Sequence, residues 1–178
     1  MSISITLHRS GTSRTQQVDT TTTGLDLFGS DRAVVAMRVD GNLVDLQREL
    51  HDGAEVEPVE ATSEDGLNII RHSATHVMAQ AVQQLYPEVN LGIGPFITDG
   101  FYYDFGNIEP VTPEVLSELE KRMKRIVKEN QRFVRRVTTE ESAREELADQ
   151  PYKLELIGTK GKLSLIHISE PTRLLSIS

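Results

Sequence analysis

The sequence predicts an α+β protein built from two small domains. Strand patterns and Asp-Gly turns dominate roughly the first third of the chain, and long amphipathic helix patterns dominate the remainder. The composition changes between the two parts at the polar segment EATSEDG, residues 60–66. A chain of 178 residues can bury one moderate core or two small ones, and the change of pattern favours two.

The first part reads as strands around one short helix. Residues 2–7 alternate as in a half-buried strand, and the apolar run AVVAMRV, residues 33–39, ends at Asp40-Gly41, a hairpin-type turn. Between them, the threonines of TTTTGLDLFG cap a short helix. A second Asp-Gly turn at residues 52–53 precedes further strand. These elements predict a small sheet domain over residues 1–62.

A helix is predicted from Leu67 to about Tyr86, because Thr62 and Asp65 have capping-box spacing and Pro87 stops the pattern. At about 100° per residue, its apolar side chains share one side. These are Ile69, Ile70, Val77, Met78, Ala81 and Leu85. The other side is polar and carries His72, His76, Gln80 and Gln83.

Two histidines at i and i+4 suggest either a polar surface pair or part of a metal or catalytic site. A metal held from one helix face needs further ligands. The zinc-protease pattern also requires glutamate where Ser73 stands, so its general base is missing. From spacing alone, both interpretations stay open.

The remaining elements are predicted from caps and breakers. Gly92, Gly94 and Pro95 interrupt the chain, and residues 101–105 read as a strand with aromatic side chains on both faces. Thr112 and Pro113 open a long helix. After it the sequence predicts a strand in RFVRRVT, a short helix capped by Thr138 and Glu141 that ends near Asp149, and a last strand over Tyr152–Ile157.

Charge is unevenly distributed along the chain. The net charge of -8 argues against a protein that grips nucleic acid over its whole surface. Residues 121–136 nevertheless hold eight basic residues and one acid. They form either a solvated helix face or a phosphate-contacting stripe. The basic residues are Lys121, Arg122, Lys124, Arg125, Lys128, Arg132, Arg135 and Arg136.

The composition fits a cytoplasmic protein. There is no cysteine for a disulfide or thiolate site, which suits a reducing compartment. The N-terminus has no apolar signal core, and no segment has the length needed to span a bilayer, so no membrane partner is expected.

The segment GLNIIRHSATHVMAQAVQQLYPEVNLGIGPFITDGFYYDF, residues 66–105, resembles the start of the editing domain of bacterial threonyl-tRNA synthetases. The resemblance rests on the His-Ser-x-x-His core, the Gly-x-Gly-Pro turn and the Gly-Phe-Tyr-Tyr-Asp strand. It runs from Met1 to about Ile157. The upstream part resembles the family's TGS domain, a ubiquitin-like β-grasp module, which favours the threonyl over the alanyl enzyme, whose editing domain shares the histidine pair.

The resemblance implies the N-terminal part of a threonine-tRNA ligase, with a TGS domain at residues 1–62 and a truncated α+β editing domain of the threonyl/alanyl type at residues 63–162. The parent enzyme would be a homodimer that uses ATP, Mg²⁺ and Zn²⁺ to attach threonine to its tRNA. Serine lacks one methyl group of threonine, a difference worth only about 1–3 kcal/mol in a pocket. A second site that hydrolyses seryl-tRNA corrects the resulting errors.

By the match, His72, His76, Tyr103 and Lys153 belong to the editing pocket. Ester hydrolysis there needs groups that position water, move protons and stabilise an oxyanion. Lys153 would stabilise negative charge or the tRNA 3′ end, and the basic stripe would contact tRNA phosphates. The family's later Cys-x-Gly-Pro-His segment and its aminoacylation and anticodon-binding domains are absent. This chain is therefore expected to carry no ATP or metal site and to be inactive alone.

Residues 163–178, LSLIHISEPTRLLSIS, depart from the family pattern. Their first part resembles the conceptual translation of a transposase adapter used in sequencing libraries. We therefore predict a non-native tail, in which His167 is not a candidate ligand. The alternative is an apolar C-terminal strand with a proline turn, and residues 158–162 stay ambiguous.

Two other functions stay open. One is a TGS-containing module that binds RNA or the ribosome without catalysis, although such a module has no chemical need for the histidine pair. The other is a trans-acting aminoacyl-tRNA deacylase, which would need the missing half of the pocket. Release of serine from seryl-tRNA would separate the deacylase from the module.

Overall fold

The computed structural model describes residues 1–131, 133–157, 164–168 and 175–177. At residues 133–137, 153, 156, 164–168 and 175–177 it describes the backbone alone. The fold is mixed α+β, as predicted, and the chain forms two compact units, Met1–Ile70 and Arg71–Ser178. No helix in the described part is long and apolar enough to cross a membrane.

The first unit is a five-stranded mixed sheet with one short helix. In chain order its elements are β1 (Ser2–Arg9), β2 (Thr12–Asp19), α1 (Gly24–Phe28), β3 (Val34–Val39), β4 (Asn42–Val44) and β5 (Glu55–Glu60). The strand order is β2-β1-β5-β3-β4, and β1 and β5 run parallel while the other pairs run antiparallel. The predicted strands, the cap at Thr23 and the hairpin turn at residues 40–41 are confirmed.

One face of this sheet forms the core of the unit. Alternate residues of β1, including Ile3 and Ile5, point to the same side as Met37, Val56 and Phe28 of α1, and all are buried. A Cβ at Gly24 would lie 3.0 Å from Met37 Cε, so the absent side chain lets α1 approach β3 closely.

The second unit is built around two long helices, α2 (Glu64–Leu85), which begins in the first unit, and α3 (Pro113–Glu129). The shorter elements are β6 (Asn90–Leu91), β7 (Phe96–Ile97), β8 (Gly100–Phe101), β9 (Phe105–Gly106), β10 (Phe133–Val137), α4 (Glu140–Glu146), α5 (Pro151–Ile157), β11 (Ser164–Ile168) and β12 (Leu175–Ile177). Small residues of α2 pack against α3: Ala79, Ala81 and Val82 share a buried cluster with Leu119 and Ile126.

Two predicted helix caps are wrong by one residue. The hydroxyl of Ser63, not Thr62, accepts the backbone N–H of Gly66 at the start of α2 (3.1 Å). Similarly, Thr139, not Thr138, caps α4 by accepting the N–H of Ser142, and α4 ends at Glu146 rather than near Asp149. In both places two adjacent residues carry a hydroxyl group that could cap the helix, so the sequence does not distinguish them. The residue at which the helical backbone begins determines which hydroxyl is used.

The predicted strand over residues 101–105 is broken in two. Phe101 pairs with Phe96, whereas Phe105 pairs with Leu91, so residues 102–104 cross between two hairpins. The backbone of Asp104 forms hydrogen bonds with the glycine-rich loop rather than with a neighbouring strand. Its N–H donates to the carbonyl of Ile93, and its carbonyl accepts from the N–H of Gly92.

The predicted last strand over Tyr152–Ile157 is wrong, because these residues form helix α5. Pro151 stands at the first helical position, where its missing N–H costs nothing. Leu154 and Ile157, three residues apart, pack on Ala143 and Leu147 of the α4 region. In the sequence, Tyr152, Leu154 and Leu156 alternate with charged residues as in a strand, but packing on α4 selects the helical spacing of Leu154 and Ile157.

The segment predicted to be a non-native tail contains β11 and β12. Together with β10 they form an antiparallel three-stranded sheet. Strand pairing does not test the origin of a segment, so the tail stays a prediction. Residues 158–162 lie outside the described residues.

Candidate active site

The two histidines of α2 form a close pair. Nε2 of His72 lies 3.1 Å from Nε2 of His76, and the rings meet edge to face with centroids 4.6 Å apart. Helical spacing of four residues places both side chains on one face. Because a hydrogen bond needs one donor and one acceptor, the two facing nitrogens share a single proton.

The surface interpretation of this pair is wrong for His76, which is only 6% exposed. The polar side of α2 faces the interior of the second unit: Gln80 is fully buried and its Nε2 donates to Gln131 Oε1 at 2.9 Å. Leu67 and Ile70, by contrast, are among the exposed large apolar side chains. A hydrogen-bonded amide can be buried at little cost, so polarity alone did not predict which side is covered.

A glycine-rich loop and Tyr103 lie against α2 beside the histidines. A Cβ at Gly94 would clash with the Tyr103 ring and would lie 2.6 Å from Thr75 Cγ2, so only glycine lets the loop approach so closely. Thr75 itself is buried and donates its hydroxyl to the carbonyl of Arg71 at 2.9 Å. The structure therefore places the Tyr103 ring next to Thr75, the residue before His76.

Tyr103 is a half-buried phenol whose ring lies against a second aromatic side chain. Burial raises the pKa of the Tyr103 phenol to about 12, and the ring stacks on Phe105 with centroids 4.8 Å apart. A phenol with this pKa stays protonated at neutral pH and is able to donate a hydrogen bond.

The site also includes an aromatic residue that the sequence analysis did not select. The Phe96 ring stands edge to face against His72, 6.4 Å between centroids, and is 44% exposed. Its position directly after Gly-x-Gly-Pro was the available signal, but an exposed phenylalanine in a short hairpin has no distinctive spacing. Thr75, inside the His-Ser-x-x-His core, was also missed, because nothing in the sequence distinguishes it from other helical threonines.

The fourth predicted pocket residue, Lys153, lies on α5, and its side chain is outside the described residues. The helix is anchored near the glycine-rich loop, because Gln150 Oε1, just before α5, accepts the N–H of Leu91 in β6 at 2.9 Å. The structure thus brings His72 and His76 together, places Tyr103 next to Thr75, and gives only the backbone position of Lys153.

The basic stripe begins on α3. Lys121, Lys124, Arg125 and Lys128 are exposed there, whereas Arg122 is half-buried and bonds Glu118 Oε1 and the carbonyl of Gln84. Arg135 and Arg136 lie on β10, where only the backbone is described, and Arg132 lies outside the described residues.

Within the described part of the chain, no three His, Cys, Asp or Glu side chains are grouped so that they could hold a metal ion. The groups that the structure places at the site are a hydrogen-bonded imidazole pair and, next to Thr75, a neutral phenol. Such a pair can accept a proton from water at one nitrogen and donate one at another, which is what general acid–base hydrolysis requires.

Comparison with known proteins identifies the class as aminoacyl-tRNA ligases. The chain is 59% identical over 162 residues to a threonine--tRNA ligase of Streptomyces avermitilis and 62% identical over 147 residues to that of Streptomyces griseus. It is also 59% identical over 146 residues to that of Pseudarthrobacter chlorophenolicus. These matches cover 91%, 83% and 82% of this chain. No protein-family model matches it.

Over most of its length the chain matches the N-terminal region of bacterial threonine--tRNA ligases. It spans only 22–25% of the length of these relatives.

Proposed function

We propose that this chain is the N-terminal part of an enzyme that attaches threonine to its tRNA, and that its second unit carries a site that hydrolyses tRNA mischarged with serine. The observation that carries the proposal is the His72–His76 pair, 3.1 Å between Nε2 atoms, with Tyr103 packed next to the neighbouring Thr75. The names of the relatives support the parent activity.

In this proposal the histidine pair positions the water that attacks the aminoacyl ester. When the Nε2–Nε2 hydrogen bond opens, the nitrogen without the proton accepts a proton from water, and the protonated nitrogen of the other ring donates to the leaving 3′ oxygen of the tRNA. Tyr103, which is protonated at neutral pH, donates a hydrogen bond to the developing oxyanion or to the substrate amino acid. Lys153 would add a positive charge from α5. Further groups, a cysteine and a histidine, would come from sequence that the longer relatives carry.

The test uses the longer protein. His72→Ala should abolish release of serine from seryl-tRNA, by at least about 100-fold, because it removes one half of the proton-sharing pair. Threonylation should stay within about twofold, because the aminoacylation site lies in the remainder of the enzyme. The matched control is His51→Ala, which removes an exposed histidine of the first unit and should change neither activity. Equal loss of both activities in His72→Ala would contradict the editing role.

The other properties of the parent are part of the same proposal. ATP, Mg²⁺ and Zn²⁺ would be bound outside this chain, by the aminoacylation domain of a cytoplasmic homodimer. The threonine-accepting tRNA would contact the exposed cations of α3, because Lys121, Arg125 and Lys128 present their charge to solvent on one amphipathic helix.

For the domains we propose a β-grasp TGS domain over residues 1–62 and the N-terminal part of an editing domain over residues 63–162. The five-stranded mixed sheet with one helix on its apolar face supports the first assignment. For residues 163–178 we propose a non-native tail. Two matches extend over 162 residues, and the rest of the chain has the length of this tail. Reading the source locus with a library-independent method would test it, since a frame that truly ends at Ser178 would contradict it.

A further inference from the structure

The chain contains four Asp-Gly pairs, which share one chemical property. They begin at Asp40, Asp52, Asp65 and Asp99. In such a pair the backbone nitrogen of glycine can attack the side-chain carboxyl carbon of the aspartate before it. Glycine permits this attack because it has no Cβ to shield the nitrogen or to restrict the backbone rotation that the attack needs. The folded structure therefore determines which of the four pairs can react.

Hydrogen bonds hold the two pairs that lie in turns of the first unit. The Asp40 carboxylate accepts the backbone N–H of Glu55 at 3.0 Å. The Asp52 carboxylate accepts the N–H of Ser4 at 2.8 Å, and the N–H of Gly53 donates to the carbonyl of Ser4 at 2.7 Å. In both pairs the carboxylate is engaged by a strand of the five-stranded sheet, so it cannot turn freely toward the glycine nitrogen.

The pair at Asp65 is held in the first turn of α2. The Asp65 carboxylate forms an ion pair with Arg38 of β3. The N–H of Gly66 donates to the Ser63 hydroxyl at 3.1 Å. Both reacting groups are thus engaged, and the regular helical backbone keeps them from turning toward each other.

The pair Asp99-Gly100 differs in each of these respects. Asp99 is exposed, and its carboxylate has no hydrogen-bond or ion-pair partner among the described residues. Gly100 belongs to the β7–β8 hairpin, whose register has only two pairs, Phe96↔Phe101 and Ile97↔Gly100. A ladder this short opens readily. A Cβ at Gly100 would meet no atom within 4 Å, so this side of the glycine is open.

We infer that Asp99 is a site of spontaneous modification, at which aspartate isomerises to isoaspartate in the folded protein. The Gly100 nitrogen forms a bond to Cγ of Asp99, and one carboxylate oxygen leaves as water with the amide proton and a proton from solvent. Water then breaks the bond between that nitrogen and the main-chain carbonyl carbon of Asp99. The chain now continues through Cγ, with its mass and oxidation state unchanged and one more carbon atom in the backbone.

The extra backbone atom changes the hairpin that lies against His72. Only Thr98 and Asp99 connect Ile97 to Gly100, so a longer connection cannot keep the register of that pair. The other pair of the hairpin carries Phe96, whose ring stands edge to face against His72 with 6.4 Å between centroids. Isomerisation is therefore expected to loosen the contact between Phe96 and His72. The modification itself does not depend on the hydrolytic role proposed above.

The test is incubation of the full chain at neutral pH for several weeks, followed by peptide mapping. Electron-transfer fragmentation in the mass spectrometer distinguishes the two isomers of equal mass. We expect isoaspartate at Asp99 and at least about tenfold less at Asp40, Asp52 and Asp65, because reaction there must wait for local opening. Equal conversion at all four positions of the folded chain, or no conversion at Asp99, would overturn the inference.

Two controls separate the effect of folding from that of sequence. In concentrated guanidinium chloride all four pairs should convert at rates within about threefold of one another, because the hydrogen bonds that distinguish them are gone. In the folded variant Gly100→Ala, conversion at Asp99 should fall at least about fivefold, because the new Cβ restricts the backbone. A strong preference for Asp99 that persists in the denatured chain would overturn the structural explanation.

Nuclear magnetic resonance of the histidine rings tests the expected change in the hairpin. The His72 signal, identified by its loss in His72→Ala, should shift in the aged chain, because it lies against the Phe96 ring. The equally aged Gly100→Ala variant should show no such shift. A His72 signal that stays unchanged when Asp99 has isomerised would overturn the loosening of the hairpin.

Discussion

Gly94 is the residue on which the close packing of the histidine site depends most directly. Its Cα faces the Tyr103 ring and the Thr75 methyl group at distances that leave no room for a side chain. The sequence marked this glycine as a chain breaker. Its second role, as the contact between a loop and two site residues, arises only from tertiary packing.

Gly94→Ala should therefore destabilise the second unit by about 1–3 kcal/mol, because the new methyl group must displace Tyr103 or Thr75. In the longer protein it should also slow seryl-tRNA hydrolysis. Gly100→Ala is the matched control, since a Cβ at Gly100 would meet no atom within 4 Å. Urea denaturation of both variants measures the effect, and equal stability would show that Tyr103 moves aside freely.

His51 and Asp40 form an ion pair whose stability depends on pH. The backbone carbonyl of Asp52 and the Asp40 carboxylate raise the pKa of His51 above its usual 6.5. The N–H of Glu55 and the His51 ring lower the pKa of Asp40. The His51 contribution is thus complete below the unfolded pKa of about 6.5 and is lost as pH rises through the higher folded value. The Asp40 contribution is lost only in acid, as pH falls through its lowered folded pKa.

We expect the urea midpoint of the unmodified chain to fall, relative to His51→Gln, as pH rises above about 6.5. The comparison is made as a difference so that contributions common to both proteins cancel. Asp40→Asn should remove part of the same dependence by removing the negative partner. A difference between the two proteins that is constant from about pH 5 to pH 9 would show that the pair contributes nothing.

At the scale of single elements, sequence predicted best where local chemistry decides the structure. The turn at residues 40–41 and the opening of α3 at Thr112-Pro113 were predicted because positive φ angles and a fixed proline φ have few solutions. Helix α5 was missed because the apolar residues of YKLELI fit both the two-residue period of a strand and the 3.6-residue period of a helix. The burial of Gln80 was missed because its hydrogen-bond partner, Gln131, lies far away in the sequence. Of the site, the histidine pair was predicted, but Phe96 and Thr75 were not.

The cap of α2 offers a direct test at this scale. Ser63→Ala should cost about 1 kcal/mol, because the N–H of Gly66 loses its acceptor. Thr62→Ala, one residue earlier, should cost little, since it removes the hydroxyl that the sequence predicted as the cap and the structure does not use. Thermal unfolding of the two variants distinguishes them, and a larger loss in Thr62→Ala would restore the sequence-based prediction.

At the scale of the whole molecule, the two units differ in charge. The first unit, Met1–Ile70, has twelve acidic and five basic residues, whereas the second holds most of the basic residues of the chain. Phosphate contacts are expected where cations are clustered and exposed. This asymmetry disfavours RNA binding by the first unit alone and favours α3 as the contact surface.

Reversal of two charges on α3 tests this expectation. Lys124→Glu with Arg125→Glu should weaken tRNA binding about tenfold or more and lower the slope of log affinity against log salt by about two, one for each lost phosphate contact. Both side chains are exposed, and the Lys124–Glu120 ion pair lies in solvent, so stability should barely change.

The matched control makes the same charge change in the first unit, with Arg14→Glu and Arg48→Glu, two exposed residues away from the stripe. If binding depended only on net charge, both double variants would weaken it equally and lower the salt slope equally. A contact surface on α3 predicts that only the first pair lowers the slope. An unchanged slope in both would return the basic stripe to an ordinary solvated helix face, since released counterions are the direct signature of phosphate contacts.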